Sequence, residues 1–419
     1  MQCASKAEFG LMGTLIFSGW ASTAFLIPWS SDLYGRKPIL LINIAVQLAF
    51  LIIMIFTKSY WVMCTCLFFI GMCSSARWST SYVYLMEFLT ESNIKKVGPF
   101  VNASAALAFV IGASILQFLT KQTVVIEYIA LAITLITLLL VAFFLPESPK
   151  WLVNKGRKEE AAQAYAYIAR INRRPQVAAS VLSWKFSQQT VPEESVPTAL
   201  TDDFRPAIQQ TGDDDDDFRR ATKINVFKGK LSELWHYRTL RWNLLILVFC
   251  WSACSMGFYV LAYVLKYLNG SIFLNAYSSS FGEILGKLST VFLLRCISIK
   301  RVFLLAFGVS SVGMMLLILC GDNDELVPWI LGFARIGFSQ AFVAAYLGAI
   351  LYYPTILASS AIGVCVTISK SATILAPIIA EVDAPINLII LLVIAVSACV
   401  VSQCMDTEKY EKDSAEKAN

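Results

Sequence analysis

Long apolar runs and short polar connections alternate along most of the chain. A membrane-spanning helix needs about 20 mainly apolar residues. Five such runs precede a long polar insert, near residues 9–29, 38–57, 60–87, 97–119 and 124–145. Six more follow it, near residues 242–266, 272–295, 302–320, 327–351, 358–380 and 385–404. The pattern predicts an all-α membrane protein with about eleven transmembrane helices.

The same pattern divides the chain into parts. We expect helix bundles over residues 1–145 and 242–404, a cytoplasmic insert over 146–241 and a cytoplasmic tail over 405–419. The insert opens with an amphipathic stretch that predicts a helix ending near Ile171. Its later part contains the unbroken acidic run 213–217, which repels itself and favours a flexible, solvated linker.

Composition and charge agree with a membrane protein. Hydrophobic residues make up 57% of the 419 residues and charged residues only 15%, whereas a typical soluble domain has about 25% charged residues. The net charge of +5 does not indicate a nucleic-acid partner, because the basic residues lie between the spans and not in one patch. One set of connections, with residues such as Arg36 and Lys300, is the more basic. The positive-inside rule places this set in the cytoplasm, with Met1 outside and Asn419 inside.

The sequence does not indicate catalytic or metal-binding chemistry. The single His, His236, lies in the insert, and no Gly-Lys-Ser/Thr loop that could hold ATP phosphates occurs. Most of the 11 Cys residues lie inside apolar runs, which is typical of small buried side chains. We therefore expect no enzyme activity, no catalytic residues, no bound metal and no cofactor.

Polar motifs at the ends of the spans resemble those of one transporter superfamily. The segment from Asp32 to Lys37 is similar to the loop between the second and third spans of the major facilitator superfamily. The segment Pro146-Glu147-Ser148-Pro149-Lys150-Trp151-Leu152 narrows the resemblance to sugar porters and organic ion transporters. Segments 81–88, 270–275 and 363–377 are similar to parts of the organic cation/anion transporter family. The resemblance implies the major facilitator fold, with two pseudo-symmetric helix bundles and twelve spans.

The resemblance also implies that the family's first span and its large extracellular loop are missing here. Two explanations are open: a reading frame that starts at the wrong Met, or a real truncation. We favour the first, because the first span of the family normally lines the central cavity.

In the family, the charged residues at the cytoplasmic ends help to lock the inward-closed arrangement. The resemblance assigns this gating role to one ion-pair cluster, consisting of Asp32, Arg36, Glu87, Glu147 and Lys150. The corresponding loop of the second half, 296–301, lacks the expected Asp and Gly, and Leu351 and Ala358 replace the usual Glu and Arg. We therefore expect the inward-closed state to be less favoured, which puts turnover in doubt.

Basic side chains within the spans are candidates for substrate contact, since ionisable residues at membrane depth indicate function. They are Arg77, Lys266, Lys287, Arg335 and Lys370. Lys370 stands where the resembling family often has Asp in cation carriers and Arg in anion or zwitterion carriers. A buried ammonium there favours a carboxylate or sulfonate and repels an organic cation. The alternative is a Lys that is paired with a neighbouring acid.

Four other residues complete the predicted substrate site. Lys287 resembles a Lys in the eighth span of organic anion carriers, but Glu283 precedes it by four residues and a structural pair is the alternative. Arg335 matches a basic position in the tenth span, with a gating or a packing role. Phe258 and Tyr259 match an aromatic pair in the seventh span where flat substrates can stack, although packing or lipid contact is the alternative.

The two remaining basic residues are expected to act differently. Lys266 lies near the outer end of its span and should snorkel towards the interface. Arg77 has no clear counterpart in the family, and a pair with Glu87 is possible.

The sequence therefore favours a carrier of small organic anions in the lipid bilayer, working by alternating access, with the plasma membrane as its expected location. The alternatives are a carrier of organic cations or carnitine-like zwitterions, a sugar-porter-like carrier, and a non-transporting sensor or scaffold. The oligomeric state stays open.

Overall fold

The computed structural model describes residues 5–89, 91–174, 235, 238–353 and 355–405, and the following statements concern these residues. The described part of the chain is helical throughout, with no strand. Its helices before residue 175 are α1 Lys6–Thr23, α2 Leu26–Tyr34, α3 Arg36–Phe56, α4 Tyr60–Ser75, α5 Ser81–Glu87, α6 Glu91–Ser114, α7 Val124–Phe144, α8 Pro149–Asn154 and α9 Lys158–Ile171. Those after it are α10 Arg238–Val264, α11 Ile272–Cys296, α12 Ile299–Cys320, α13 Val327–Tyr352, α14 Thr355–Thr373, α15 Ala376–Ala380 and α16 Ile386–Gln403.

Each of the eleven predicted spans coincides with helical structure. Among the described residues, eight helices are long and apolar enough to cross a membrane, and the bent pair α1–α2 makes a ninth. One of the other two predicted spans is α6 with the π-helical turn Ile115–Leu119 that continues it, and its apolar part is the shorter Ser104–Leu119. The other is α11, which carries Glu283 and Lys287. Of these two, Lys287 is the predicted substrate contact, and Glu283 is its predicted pairing partner.

Two spans are broken, and a proline explains each break. The first predicted span bends by 41° between α1 and α2. Pro28 in α2 lacks the N–H that would bind the carbonyl of Ala24, so the helical ladder is interrupted there. Likewise, Pro377 lies four residues after Thr373, where α14 ends and α15 follows. Helix α15 meets α1, since a Cβ added at Gly13 would lie 2.7 Å from the Pro377 ring.

Glycines allow several helices to pack with their backbones in contact. A Cβ at Gly19 of α1 would overlap the carbonyl of Phe68 on α4, and one at Gly71 would overlap that of Ile16. The same holds between α11 and α13 at Gly282. Within a bilayer no hydrophobic driving force holds helices together. Close packing at small residues stabilises such crossings instead.

The helices after residue 238 enclose a well-packed interior. Two clusters of buried apolar side chains lie there, and the largest fully buried members are Trp251, Phe303, Phe307 and Phe338. In contrast, α3 and α7 bury few of their side chains, as expected for surfaces that face lipid tails.

The chain divides into two compact units. One comprises residues 1–145 and 227–413, and the other comprises residues 146–226 and 414–419. Within the second unit, α8 and α9 pack through Trp151, Leu152, Ala161 and Ala164. Helix α9 confirms the predicted amphipathic helix, with its end at Ile171. The acidic run 213–217 and the linker predicted around it lie outside the described residues.

Candidate functional site

The ammonium of Lys370 lies inside a group of aromatic rings in the first unit. Its Nζ atom is 3.8 Å from the ring centroid of Trp20, 4.5 Å from that of Tyr259 and 5.9 Å from that of Phe342. The same atom donates a hydrogen bond of 3.1 Å to the Tyr259 hydroxyl. We call Trp20, Tyr259 and Phe342 the aromatic cage. Its members come from α1, α10 and α13, and Lys370 from α14, so four helices build it.

Lys370 has no acidic partner in the described part of the chain. Every ion pair found there joins other residues. The side chain is nevertheless 97% buried, since only 3% of its surface is exposed. An ammonium in such surroundings is held by ring faces and one hydroxyl, which stabilise a cation less than a carboxylate does. The predicted alternative, pairing with a neighbouring acid, is therefore not what the structure has.

Two further rings, those of Phe17 and Trp78, contact the cage. Phe17 meets Tyr259 edge-on, with ring centroids 4.7 Å apart. Trp20 stacks on Trp78, with centroids 6.2 Å apart and 16° between the planes. Such contacts fix the orientation of the rings around Lys370.

The second predicted group of charges forms a buried cluster, which we call the Glu283 triad. Glu283 Oε1 lies 2.6 Å from Lys287 Nζ, and Glu283 Oε2 lies 3.2 Å from Arg335 Nη2. All three side chains are at least nine-tenths buried. The Arg335 guanidinium also lies over the Phe258 ring at 3.5 Å and donates a hydrogen bond to the Phe258 carbonyl oxygen. The predicted Glu283–Lys287 pair is thus confirmed, while substrate contact by Lys287 and Arg335 stays a prediction.

The triad and the cage meet at adjacent residues of α10. Phe258 contacts Arg335, and Tyr259 contacts Lys370. One carboxylate is shared by two cations in the triad, so the three formal charges sum to +1. The region around Phe258 and Tyr259 therefore combines aromatic surface with excess positive charge.

Three of the five residues in the predicted gating cluster form ion pairs, and their gating role stays a prediction. Arg36 Nη1 lies 2.6 Å from Asp32 Oδ1, and Arg36 Nη2 lies 3.1 Å from Glu87 Oε1. Arg36 also donates a hydrogen bond of 2.8 Å to the Ser31 carbonyl oxygen. Gly35 has a φ of 112°, a backbone angle that favours glycine. It forms the turn between α2 and α3, which brings these charged groups together. The other two predicted members, Glu147 and Lys150, belong to the second unit, and their participation stays a prediction.

Two ion pairs lie at the opposite ends of the helices, and the first of them joins α1 to the second half of the chain. Lys6 Nζ lies 2.6 Å from Asp383 Oδ1, and Lys266 Nζ lies 2.7 Å from Glu381 Oε1. The hydrogen bond from Lys6 and its positive charge lower the pKa of Asp383. Lys266 was expected to snorkel, but it binds Glu381, which also accepts a hydrogen bond from the Tyr267 hydroxyl. We call these contacts the outer pairs.

Sequence reasoning missed Trp20 and the outer pairs. Trp20 stands in the middle of a span and not at an interface, where tryptophan is usual, and this was an available signal. The outer pairs join residues 377 and 115 positions apart, so no local spacing could indicate them.

Charge reversal tests whether the outer pairs hold the outer ends together. Lys6→Glu should increase the rate at which a membrane-impermeant maleimide modifies a Thr14→Cys variant, because Thr14 faces Ile374 across the same junction. Exposed ion pairs are weak, so we expect an increase of about two- to fivefold. Adding Asp383→Lys should restore the slow rate, and the chain without Thr14→Cys gives the background from its own cysteines. An unchanged rate in Lys6→Glu would show that these charges do not hold the junction.

A family model and several relatives match most of the chain. The family model of the Major Facilitator Superfamily matches residues 3–377. Solute carrier family 22 member 4 of Mus musculus is 24% identical over 381 residues, which cover 90% of this chain and 62% of that protein. Organic cation/carnitine transporter 2 of Homo sapiens is 23% identical over 378 residues, with coverage of 90% and 62%. Solute carrier family 22 member 15-like of Xenopus tropicalis is 25% identical over 377 residues, with coverage of 89% and 70%.

A solved structure shows the same fold. The xylose transporter XylE from E. coli, in a partially occluded inward open conformation, superposes with a TM-score of 0.64 at 12% sequence identity. The match covers 96% of this chain and 89% of that chain. At this identity the likeness concerns the arrangement of helices alone. The chain spans 62% of the length of the first two relatives. The match therefore does not show that this chain shares their activities.

Proposed function

Because the chain belongs to the Major Facilitator Superfamily, we propose that it carries small organic anions across a membrane by alternating access. It is a multi-pass integral membrane protein with the major facilitator fold. The proposal further places it in the plasma membrane, as a secondary or facilitative carrier and not an enzyme. The predicted assignment of Lys370, Lys287, Arg335, Phe258 and Tyr259 to the substrate site is part of the same proposal.

One observation carries the choice of an anion: Lys370 is buried without a carboxylate among the described residues. An anionic substrate supplies the missing partner, and the low dielectric of the site strengthens their attraction. The Glu283 triad adds a further formal charge of +1 beside Phe258. Glu283 is already shared between two cations, so it leaves little attraction for an incoming positive charge.

A carrier of cations or carnitine-like zwitterions is the second candidate, and two observations favour it. The relatives include organic cation/carnitine transporter 2, and rings of Trp and Tyr are the usual surroundings of a bound quaternary ammonium. In this chain, however, the ammonium of Lys370 fills the aromatic cage at cation–π distance. A substrate cation would have to enter beside it without a compensating carboxylate, which is unfavourable.

Uptake of two matched probes tests the proposal. The purified full chain in liposomes is given labelled benzoate and labelled benzyltrimethylammonium, which share a ring and differ in the sign of their charge. Saturable uptake of benzoate alone supports the proposal. Uptake of the ammonium alone would contradict it and favour the cation carrier, and labelled carnitine separates a zwitterion carrier from both. If no probe enters, the hypothesis of a non-transporting sensor or scaffold is favoured. Protein-free liposomes give the background uptake.

A further inference from the structure

The ammonium of Lys370 is covered on nearly every side in this structure. Its Nζ atom lies 3.8 Å from the ring centroid of Trp20 and 4.5 Å from that of Tyr259, whose hydroxyl also accepts its hydrogen bond. Only 3% of Lys370 is exposed. A carboxylate pairs with an ammonium at about 2.7–2.9 Å. An anion therefore reaches Nζ only when one of the covering rings moves.

Trp20 differs in origin from the other rings of the aromatic cage. Tyr259 and Phe342 lie on α10 and α13, and Lys370 lies on α14, so all three belong to the helices after residue 238. Phe342 also packs on Phe258 of the same set, with ring centroids 6.0 Å apart. Trp20 lies on α1, among the helices before residue 175. Alternating access moves the two helix bundles of a carrier relative to each other, so Trp20 is the cage ring that such a movement takes away from Lys370.

Three positions on one face of α1 contact the later helices. Gly13 approaches Pro377 so closely that a Cβ there would lie 2.7 Å from the proline ring, and Phe17 meets an aromatic ring of α10 edge-on. Trp20 follows about one turn later and contacts the charged group of Lys370. The contacts of Gly13 and Phe17 are apolar, so an anion cannot replace them. The contact of Trp20 is different, because a carboxylate binds an ammonium more strongly than a ring face does.

We propose that Trp20 competes with the substrate anion for the ammonium of Lys370. Without substrate, the indole ring covers the ammonium and holds α1 against α14. An anion that binds Lys370 takes the place of the ring and releases α1. Trp20 is then a positioning residue, which acts on the substrate through Lys370. The inference rests on the proposed anion carrier and deepens it, since it names the group that the substrate displaces and the contact through which binding affects the other helix bundle.

Graded fluorination of Trp20 tests the competition on the purified full chain. Tryptophan with one, two or three fluorine atoms on its benzene ring is inserted at position 20 alone. Fluorine withdraws electron density from the ring face, which weakens its attraction for a cation and changes the shape of the ring little. We expect benzoate affinity to rise at each step, by about three- to tenfold over the series. The same series at Trp329, an exposed residue of α13, is the matched control and should leave the affinity unchanged.

Modification of a Thr14→Cys variant by a membrane-impermeant maleimide tests the release of α1. The Thr14 hydroxyl donates a hydrogen bond of 3.3 Å to the Ile374 carbonyl oxygen, so α1 and the later helices are in contact there. Saturating benzoate should raise the modification rate by about fivefold or more, which is the usual size of coupling between linked sites. Benzamide, which has the same ring without the charge, should leave the rate unchanged. Adding Lys370→Gln should remove the response to benzoate.

The outcomes separate this inference from the proposed function. Benzoate affinity that falls with fluorination of Trp20 would overturn the competition, since the ring would then support anion binding, and a constant affinity would overturn it as well. A modification rate that benzoate leaves unchanged would overturn the release of α1. In these cases the anion carrier stands as long as wild-type protein binds benzoate and Lys370→Gln does not. If wild-type protein binds no benzoate, both the anion carrier and the role of Trp20 are overturned.

Discussion

Lys370→Asp should abolish uptake of benzoate and allow binding of benzyltrimethylammonium. In the wild-type protein the ammonium of Lys370 occupies the aromatic cage and is the partner of the substrate carboxylate. The substitution empties the cage and places a carboxylate below it, so the site acquires both features that bind a quaternary ammonium. Loss of a buried charge partner costs about 2–5 kcal/mol, which corresponds to roughly a 30-fold or greater loss of benzoate affinity. Uptake of both probes into liposomes measures the change.

Two further variants at the same position separate charge from shape. Lys370→Met keeps an unbranched side chain without charge, and it should lose benzoate uptake as completely as Lys370→Asp. Lys370→Arg keeps the charge, and it should retain part of the uptake. Lys58→Gln removes an exposed lysine and should leave uptake unchanged. Wild-type benzoate uptake by Lys370→Met would exclude Lys370 as the anion-binding residue.

The structural features that depend on local sequence pattern were predicted correctly. The spans follow from apolar runs of sufficient length, and the Glu283–Lys287 pair follows from helical spacing, so both were found. Lys370 could be singled out because a charge in the middle of a span is unusual. Its contact with Trp20 could not be found, because the two residues are 350 positions apart and only the packing of α1 against α14 brings them together.

Charged partners at long separation were the main source of error. Lys266 was assigned to the interface because it lies near the outer end of its span, and its partner Glu381, more than 100 residues later, was not foreseen. Arg77 was offered Glu87 on its own span, whereas Arg36 on the neighbouring helix binds that carboxylate. In neither case did the nearest acid in the sequence form the ion pair. The break in the first span had a visible signal in Pro28, but a proline near a helix start is compatible with either a bend or a continuous helix.

Glu283→Gln should destabilise the protein much more than removal of either of its cationic partners. The carboxylate is shared by Lys287 and Arg335, and all three groups are buried. Its removal leaves two neighbouring positive charges without an acid in the triad, and breaking a buried pair in this way costs about 3–5 kcal/mol. Lys287→Met leaves Glu283 paired with Arg335, so a one-to-one pair persists and the cost should be smaller. Thermal unfolding in detergent, followed by tryptophan fluorescence, gives the order of the variants.

The same variants test whether Lys287 and Arg335 contact substrate or only hold α11 against α13. If the triad is structural, a variant that replaces Glu283, Lys287 and Arg335 together by Leu, Met and Met should recover most of the stability lost in Glu283→Gln, because no buried charge is left unpaired. It should also keep the wild-type affinity for benzoate. Wild-type stability with lost benzoate binding in the triple variant would instead assign substrate contact to the two cations. Equal destabilisation by Glu283→Gln and Lys287→Met would contradict the shared-carboxylate account, since only the first substitution removes the carboxylate that Lys287 and Arg335 share.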